Sequence, residues 1–319
     1  MTRLVMLDPQ QSDRLERLIP YLPSGWQLTA AASRRPEDQI AALDGAAFAI
    51  TGDVPVTAEM LAVPGLRAVH KWGVGYDNID LEAAKAQGVK VLRTTGSNAV
   101  TVAESTLGLI LAVSRNLVRG HAGIAAGRWR KSEVAPSSLT LSGKVVGIIG
   151  FGSVGQALAR LLAGFGCRII YTKRTALPAA AEAELVAEFA PLDRLLAEAD
   201  VVTLNCELND TTRDLINAKR LAQMKPGAIL VNAARGGVVV EADLAAALRS
   251  GHLRGAASDV FSIEPITPDN PLIGIDTMVL TPHLAAISAD SFAPNVTRMM
   301  ANLLAIHQGE PPREGDLLV

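Results

Sequence analysis

The chain has 319 residues, two cysteines and a formal net charge of -2 at pH 7, with 30 Lys and Arg against 32 Asp and Glu. This length allows two domains that each bury a core, and the balanced charge argues against a nucleic-acid or anionic-membrane partner. Two cysteines exclude a disulfide framework and favour a reducing, cytoplasmic location. We therefore expect small-molecule chemistry.

The amino end, MTRLVMLDPQ, lacks the basic and apolar regions of a signal peptide. The most apolar helical stretch, residues 106–113, is too short to cross a bilayer. Both observations predict a soluble protein.

Residues 1 to about 97 alternate between strand and helix patterns. Apolar and β-branched runs predict strands at 4–7, 27–30, 48–51, 67–71 and 89–93. Such alternation implies an α/β domain with a parallel sheet and helices on both faces.

The fourth of these strands leads into the glycine turn WGVGYDNID. Gly73 and Gly75 flank Val74 at the carboxyl end of the strand, where open α/β sheets bind ligands. The two glycines would let backbone amides face an anion such as a substrate carboxylate. The alternative is a plain strand-to-helix turn, capped by Asp77 or Asn78.

A helical pattern over 101–118 is apolar nearly all round, which is typical of a helix buried between domains or subunits. We predict that it forms the hinge between two sheets. Residues 119–141 show little periodicity and predict a loop.

The stretch 144–175, KVVGIIGFGSVGQALARLLAGFGCRIIYTKRT, reads as a complete strand–helix–strand unit. Its first strand runs into Gly150, Gly152 and Gly155 in GxGxxG spacing. The first glycine allows a tight turn, the second lets backbone approach a pyrophosphate, and the third lets helix pack on strand. The helix amino end would hold the diphosphate. The alternative is an α/β turn of the same shape without a ligand.

The tip of the second strand bears on the choice of dinucleotide. NAD-binding units place Asp or Glu there for the ribose hydroxyl, whereas this chain reads Tyr171, Thr172, Lys173, Arg174. Because Arg174 offers planar paired donors, the sequence predicts a preference for NADP(H). A solvated strand end is the other interpretation.

Strand and helix alternate again in the second half. Strands are predicted at 201–204, 228–232, 256–259 and 278–280, with helices at 212–224 and 241–250. The second sheet would then have about six strands, as two mononucleotide-binding halves require. A last helix over 288–307 can lead back to the first domain.

Three polar residues follow strand ends in this half, where such sheets carry their chemistry. They are Arg235, Glu264 and His283. Each alone could be a surface or structural residue. Together they meet the needs of carbonyl reduction: a cation binds and polarises a 2-oxo acid, an imidazolium protonates its oxygen, and a carboxylate orients the imidazole. The histidines and cysteines show no metal-ligand spacing.

Six motifs together resemble the D-isomer-specific 2-hydroxyacid dehydrogenases, a family that includes glyoxylate/hydroxypyruvate reductases, D-lactate dehydrogenases and D-3-phosphoglycerate dehydrogenases. In the family's order they are KWGVGYDNID, NAVTVAE, GIIGFGSVG, MKPGAILVNAARGG, ASDVFSIEP and TPHLAA. The resemblance implies that Arg235 binds substrate, Glu264 supports the histidine, and His283 is the acid/base. It also implies carboxylate capture by amides around Val74 and Gly75.

The resemblance further implies a set of cofactor contacts along the second domain, with Asp259 touching the nicotinamide carboxamide. The set is Thr101, Gly150, Gly152, Ser153, Val154, Gly155, Thr172, Lys173, Arg174, Cys206, Ala233, Ala234, Asp259 and His283.

The architecture that the resemblance implies is a Rossmann cofactor domain, residues 101–287, inserted in a flavodoxin-like substrate domain. The substrate domain would comprise residues 1–100 and the return helix in 288–319. The family also implies a homodimer and a cleft that closes on substrate and excludes water.

Two residues depart from the family pattern or add to it. Glu207 lies where many members have proline, and a carboxylate near the ribose would disfavour a 2′-phosphate. Trp72 beside the glycine turn would narrow the choice of substrate side chain if it faces the cleft, and would give no information on the substrate if it faces the core.

Three alternatives compete with a reductase of small 2-oxo acids such as glyoxylate or hydroxypyruvate. Formate dehydrogenases share the fold but carry glutamine where this chain has Glu264. A dinucleotide-sensing corepressor can keep all three catalytic residues, although its members usually carry tails that this chain lacks. Lys71 could pair a substrate phosphate, as in D-3-phosphoglycerate dehydrogenase, yet no extra regulatory domain follows.

Overall fold

The computed structural model describes residues 1–9 and 15–319. Part of the helical segment predicted between the first two strands lies outside these residues. The chain forms two compact units: unit 1 comprises residues 1–98 and 288–319, and unit 2 comprises residues 99–287.

Unit 1 contains a five-stranded parallel sheet in the order β2-β1-β3-β4-β5, which is a flavodoxin-like order. The strands are β1 (Thr2–Met6), β2 (Trp26–Ala30), β3 (Phe48–Thr51), β4 (Ala68–Lys71) and β5 (Lys90–Leu92). The α-helices are Pro36–Leu43, Ala58–Leu61, Leu81–Gln87 and Phe292–Gln308, with a 3-10 helix at Ile19–Tyr21.

Both faces of this sheet are covered because successive strand residues point to opposite sides. Val5 and Val69 pack against the helices that follow β2, β3 and β4, whereas Leu4 and Ile50 pack against the last helix, Phe292–Gln308. The return helix thus covers one face of the sheet of unit 1. Beyond it, Leu318 pairs its amide with the carbonyl of Val91 in β5.

Unit 2 contains a seven-stranded parallel sheet in the order β12-β11-β10-β9-β6-β7-β8, in which six strands follow the Rossmann order. The strands are β6 (Val145–Ile149), β7 (Arg168–Thr172), β8 (Ala187–Phe189), β9 (Val201–Leu204), β10 (Ile229–Asn232), β11 (Gly255–Ser258) and β12 (Met278–Leu280). The α-helices are Ala99–Ser114, Leu117–Ala125, Lys131–Val134, Ser153–Leu162, Ala179–Leu185, Leu192–Glu198, Ala218–Gln223 and Glu241–Arg249. Short 3-10 helices occur at Ala135–Ser137, Ala163–Phe165 and Gly236–Val238. The predicted fold class, two doubly wound parallel sheets, is confirmed.

The sequence predicted about six strands for this sheet, and the structure has seven. β8 has only three residues, AEF, at the sheet edge, within a stretch of alanine and glutamate that favours helix. Pairing with β7, rather than local propensity, makes it a strand.

The single helix predicted over 101–118 and the loop over 119–141 are wrong. The first helix ends at Ser114 because Asn116 takes a left-handed conformation, φ 53°. Its side-chain amide donates to the carbonyl of Val134 and to the hydroxyls of Ser137 and Ser138, at 3.0–3.1 Å. These bonds join segments distant in sequence, so local periodicity could not show the break.

Two smaller predictions also need correction. Asp80, rather than Asp77 or Asn78, caps the helix after the glycine turn, accepting from the amide of Ala83 at 2.9 Å. The helix predicted over 212–224 is confined to Ala218–Gln223, where Asn217 provides the cap. In the part of the chain that is described, no helix combines the length and apolarity needed to cross a membrane.

Candidate active site

The GxGxxG turn joins β6 to the helix Ser153–Leu162, and two of its glycines are required by close packing. A Cβ on Gly150, which has φ 89°, would lie 2.5 Å from the backbone nitrogen of Cys206. A Cβ on Gly155 would lie 2.5 Å from the carbonyl oxygen of Gly150. Such distances leave no room for any side chain at either position.

Gly152 differs, because a Cβ there would meet nothing within 4 Å. Gly152 and Ser153 are exposed at the start of the helix, where the first amides, including that of Val154, have no partner within the helix. An open turn with unpartnered amides at a helix amino end fits the pyrophosphate of a dinucleotide.

The strand ends on either side of this turn carry the other candidate cofactor contacts. β7 ends at Thr172, followed by the half-buried Lys173 and the exposed Arg174. Cys206 follows β9 on the opposite side of β6, and burial raises the pKa of its thiol to about 11. The high pKa makes Cys206 an unreactive packing residue, as expected from the sequence. Glu207 beside it is exposed.

Arg235 begins the tight turn that follows β10. Its Nη1 donates to the carbonyl of Ala234 at 2.8 Å. A Cβ on the next residue, Gly236, would lie 1.9 Å from the carbonyl carbon of Phe261. Glycine therefore lets the Arg235 turn lie directly against the segment that carries Glu264.

Glu264 and His283 form a hydrogen-bonded pair, 2.6 Å between Oε2 of Glu264 and Nδ1 of His283. The other carboxylate oxygen accepts from the amide of Phe261 at 2.8 Å. Because Nδ1 contacts an anion, it carries a proton, and Nε2 is the nitrogen directed away from Glu264. The side chains are 39% exposed for His283 and 33% for Glu264, so both can meet a small molecule.

Electrostatics keep this pair charged. The hydrogen bond that His283 donates to Glu264 raises the pKa of His283 above its usual value, outweighing burial and the positive charge of Arg235. For Glu264, burial raises the pKa, but the hydrogen bonds from His283 and the Phe261 amide lower it further, with help from Arg235. The pair thus favours a protonated His283 and an ionised Glu264.

Asp259 holds the loop that presents His283. Its carboxylate accepts from the hydroxyl of Thr281 at 2.6 Å and from the amides of Leu284 and Ala285 at 2.8 Å each. Its carbonyl accepts from the amide of His283, which has φ 52°. Asp259 is 1% exposed, and both of its carboxylate oxygens bond to this loop.

Ala233, Ala234 and Thr101 complete the candidate contacts in unit 2. Ala233 is half-buried and Ala234 is 8% exposed in the turn before Arg235. Thr101 is half-buried near the start of the helix Ala99–Ser114, which packs on the seven-stranded sheet.

The unit 1 candidates lie around the turn after β4. Gly73 has φ 130°, and the amides of Gly73, Val74 and Gly75 donate no hydrogen bond within the described residues. Arg93 donates to the carbonyl of Val74 at 3.1 Å and so anchors the turn from the other side. Unpartnered amides on an anchored turn suit an anion.

Lys71 and Trp72 point into unit 1. The ammonium of Lys71 donates to the carbonyl of Gly52 and, at 3.0 Å, to Oδ1 of Asn78. Trp72 packs against the core, with its ring 5.9 Å from that of Phe292. The tryptophan therefore faces the core.

Within residues 1–9 and 15–319, no group of three or more His, Cys, Asp or Glu residues could hold a metal ion.

Comparison with known proteins decides the family. The sequence profile described as "D-isomer specific 2-hydroxyacid dehydrogenase, NAD binding domain" matches residues 107–285, more than half of the chain. The chain belongs to the D-isomer specific 2-hydroxyacid dehydrogenases. The resemblance read from the six motifs is confirmed.

Relatives of this dehydrogenase have several activities. It is 41% identical over 256 residues to a glyoxylate reductase of Thermococcus onnurineus, covering 79% of this chain and 76% of the relative. It is 42% identical over 246 residues to a D-3-phosphoglycerate dehydrogenase of Mycobacterium leprae, covering 77% of this chain but only 46% of that longer relative. A formate dehydrogenase from Granulicella superimposes with a TM-score of 0.90 at 25% identity, over 100% of this chain and 98% of the other.

In this 2-hydroxyacid dehydrogenase, sequence reasoning missed residues that bond to the turns carrying Arg235 and Glu264. Asn232 bonds to the Arg235 turn, and Glu241 accepts from the amide and hydroxyl of Ser262, beside the Glu264 segment. The asparagine stands in the motif NAARGG, so its strand-end position was the available signal.

Proposed function

We propose that this dehydrogenase reduces a small 2-oxo acid, glyoxylate or hydroxypyruvate, to the D-2-hydroxy acid and prefers NADPH to NADH. The observation that carries the proposal is the Glu264–His283 pair beside Arg235. A carboxylate-supported imidazolium next to a guanidinium suits the protonation of a bound carbonyl oxygen.

The three residues of the proposed site have different tasks. Arg235 binds the carboxylate of the 2-oxo acid and polarises its carbonyl. Nε2 of His283 donates a proton to the carbonyl oxygen, and Glu264 stabilises the imidazolium before transfer. When bound, the reduced nicotinamide supplies the hydride. In the reverse direction, neutral His283 takes the proton back.

Formate oxidation fits this site less well. Removal of hydride from formate leaves carbon dioxide and no proton for a side chain to hold, so a charged imidazole–carboxylate pair would have no task. The Glu264–His283 pair therefore supports 2-oxo acid reduction over formate oxidation.

The cofactor would bind along the carboxyl ends of β6, β7, β9, β10 and β11. The GxGxxG turn with Ser153 and Val154 would hold the pyrophosphate, and Lys173 and Arg174 after Thr172 would hold a 2′-phosphate. Arg174 is exposed, so its guanidinium is accessible to a phosphate, which supports this role. Thr101, Cys206, Ala233, Ala234 and Asp259 remain proposed contacts.

Unit 1 would be the substrate domain and unit 2 the cofactor domain. The unpartnered amides of Gly73, Val74 and Gly75 support a carboxylate-binding role for the turn after β4. Lys71 already bonds to Gly52 and Asn78, so we infer that it shapes this region and does not select a substrate phosphate. A small, unphosphorylated acid is the favoured substrate.

Nicotinamide absorbance with a panel of 2-oxo acids, read with NADPH and NADH in parallel, tests this proposal. Glyoxylate or hydroxypyruvate should be turned over with the highest kcat/KM, and His283→Ala should lower kcat by about 100-fold or more with cofactor binding intact. Cofactor binding without turnover of any 2-oxo acid would favour a dinucleotide sensor instead.

The dinucleotide preference has its own test. Arg174→Ala should weaken NADPH about tenfold or more and leave NADH nearly unchanged, because only NADPH carries the 2′-phosphate. Arg160→Ala, at the other end of the GxGxxG helix and paired with Glu184, is the control. Equal weakening of both dinucleotides by Arg174→Ala would reject the preference.

We also propose a homodimer in a reducing, cytoplasmic location. Leu117, Val118, Ile124 and Trp129 are 46–79% exposed within one short segment, which supports a protein partner at this surface.

A further inference from the structure

Asn232, the last residue of β10, closes the turn that carries Arg235. It is 2% exposed. Its Oδ1 accepts from the amide of Ala234 at 3.1 Å, and its Nδ2 donates to the carbonyl of Arg235 at 3.0 Å. One planar amide therefore ties the turn at two successive residues.

The same turn also binds the guanidinium of Arg235. The carbonyl of Ala234 accepts from Nη1 of Arg235 at 2.8 Å. The Ala234 residue thus bonds to Asn232 through its amide and to the guanidinium through its carbonyl. A shift of this residue would move the guanidinium directly.

The backbone around Asn232 is fixed on both sides. Its Cα pairs with Leu204 of β9 and Ser258 of β11, and its carbonyl accepts from the amide of Asp259 at 2.9 Å. The end of β10 is therefore a rigid support for the turn. An asparagine amide carries a separate donor and acceptor, so it can make both bonds at once.

We propose that Asn232 is a positioning residue for the reaction: it sets the Arg235 guanidinium through the Ala234 peptide, and so governs affinity for the 2-oxo acid. The inference rests on the proposed function, in which Arg235 binds that acid. Because Asn232 is buried, it would act through Arg235 and not by contact with substrate or cofactor.

Steady-state kinetics of Asn232→Ala and Asn232→Ser test the inference. In Asn232→Ala, KM for the 2-oxo acid should rise about tenfold or more, and kcat should fall by a smaller factor, because Arg235 also polarises the carbonyl. The dissociation constant of NADPH should rise by at most about threefold, because Ala234 is itself a proposed cofactor contact. Asn232→Ser should give an intermediate KM, because its hydroxyl can still accept from the Ala234 amide. Should the alanine variant fail to fold, the serine variant carries the test through the same KM shift.

Asn217→Ala is the matched control in the same unit. Asn217 also bridges its own turn, accepting from the amide of Arg220 at 3.3 Å and donating to the carbonyl of Asp214 at 3.1 Å. Its loss should lower thermal stability and leave KM unchanged. An unchanged KM in both Asn232 variants, or equal rises in KM and the NADPH dissociation constant, would overturn the inference. If the wild-type protein reduces no 2-oxo acid, the proposed function itself fails, and the inference with it.

Discussion

In the proposed mechanism, Glu264 sets the pH range in which His283 acts as an acid. The carboxylate raises the pKa of His283, while burial and Arg235 lower it. Reduction needs the imidazolium, so activity is retained at low pH and falls as the pH rises through the raised pKa.

Glu264→Gln should therefore move this fall to lower pH. Without the carboxylate, burial and Arg235 bring the pKa of His283 below its ordinary value of about 6.5. kcat/KM for reduction, measured from pH 5 to 9, should then be about tenfold or more lower than wild type near pH 7.5 and should recover partly in acid. A profile with an unchanged midpoint would remove Glu264 from this role.

Gly152 is the glycine of the GxGxxG turn whose loss should affect cofactor binding without affecting the fold. An alanine Cβ there meets no protein atom within 4 Å, and the φ of -82° suits any residue. Gly152→Ala should weaken dinucleotide binding about tenfold, by occupying the space for the pyrophosphate. Calorimetric titration measures the affinity and scanning calorimetry the stability.

Gly164→Ala, which also adds a Cβ in open space, should change neither quantity. A loss of thermal stability in Gly152→Ala without a loss of affinity would contradict the assignment of the phosphate turn.

At the scale of elements, the last helix of unit 1 is joined to the chain end through one buried carboxylate. Asp316 is fully buried and accepts from Nη2 of Arg298 at 2.5 Å, from Nδ2 of Asn302 at 2.9 Å and from the amide of Thr95 at 2.9 Å. Burial raises the pKa of Asp316, but these donors lower it further.

Asp316→Asn should lower the stability of unit 1 by about 3–5 kcal/mol, because the Arg298 guanidinium loses its anionic partner in a buried site. Urea unfolding measures the loss. A lowered pKa means that Asp316 stabilises the fold above its ordinary pKa, so the difference from wild type should shrink as the pH falls below about 4.

Glu37→Gln is the control, because it removes the carboxylate of an ion pair with Arg35 in which both side chains are 66–67% exposed. It should lower the free energy of unfolding by less than about 1 kcal/mol. A similar loss in both variants would show that burial of the Asp316 pair is unimportant.

At the scale of the whole molecule, the exposed apolar segment 117–129 predicts self-association. Trp129 is 79% exposed and Leu117 57%, which is unusual for large apolar side chains on a monomer. Leu117→Glu combined with Trp129→Arg should convert a dimer into a monomer with unchanged circular dichroism. Light scattering on a sizing column distinguishes the two states.

Ile19→Arg, at a 56% exposed isoleucine of unit 1, should leave the dimer intact. A wild-type protein that elutes as a monomer would contradict the proposed interface.

The sequence by itself determined the strands other than β8, the GxGxxG turn and the family. Apolar β-branched runs such as Val145–Ile149 and turn glycines such as Gly150 act through neighbouring residues, so they can be read in chain order. The sequence also predicted a last helix, and the family resemblance implied that this helix completes the first domain; the helix Phe292–Gln308 lies in unit 1.

Only the tertiary structure decided which polar groups meet. Glu264 and His283 stand 19 residues apart and pair because their loops follow neighbouring strands, β11 and β12. Tertiary packing also decided that Lys71 bonds to Gly52 and that the helix ends before Asn116. It likewise decided that Asn232 bonds to the Arg235 turn. Hydrogen-bond partners are set by where strand ends lie in the sheet, and local propensity carries no information on that arrangement.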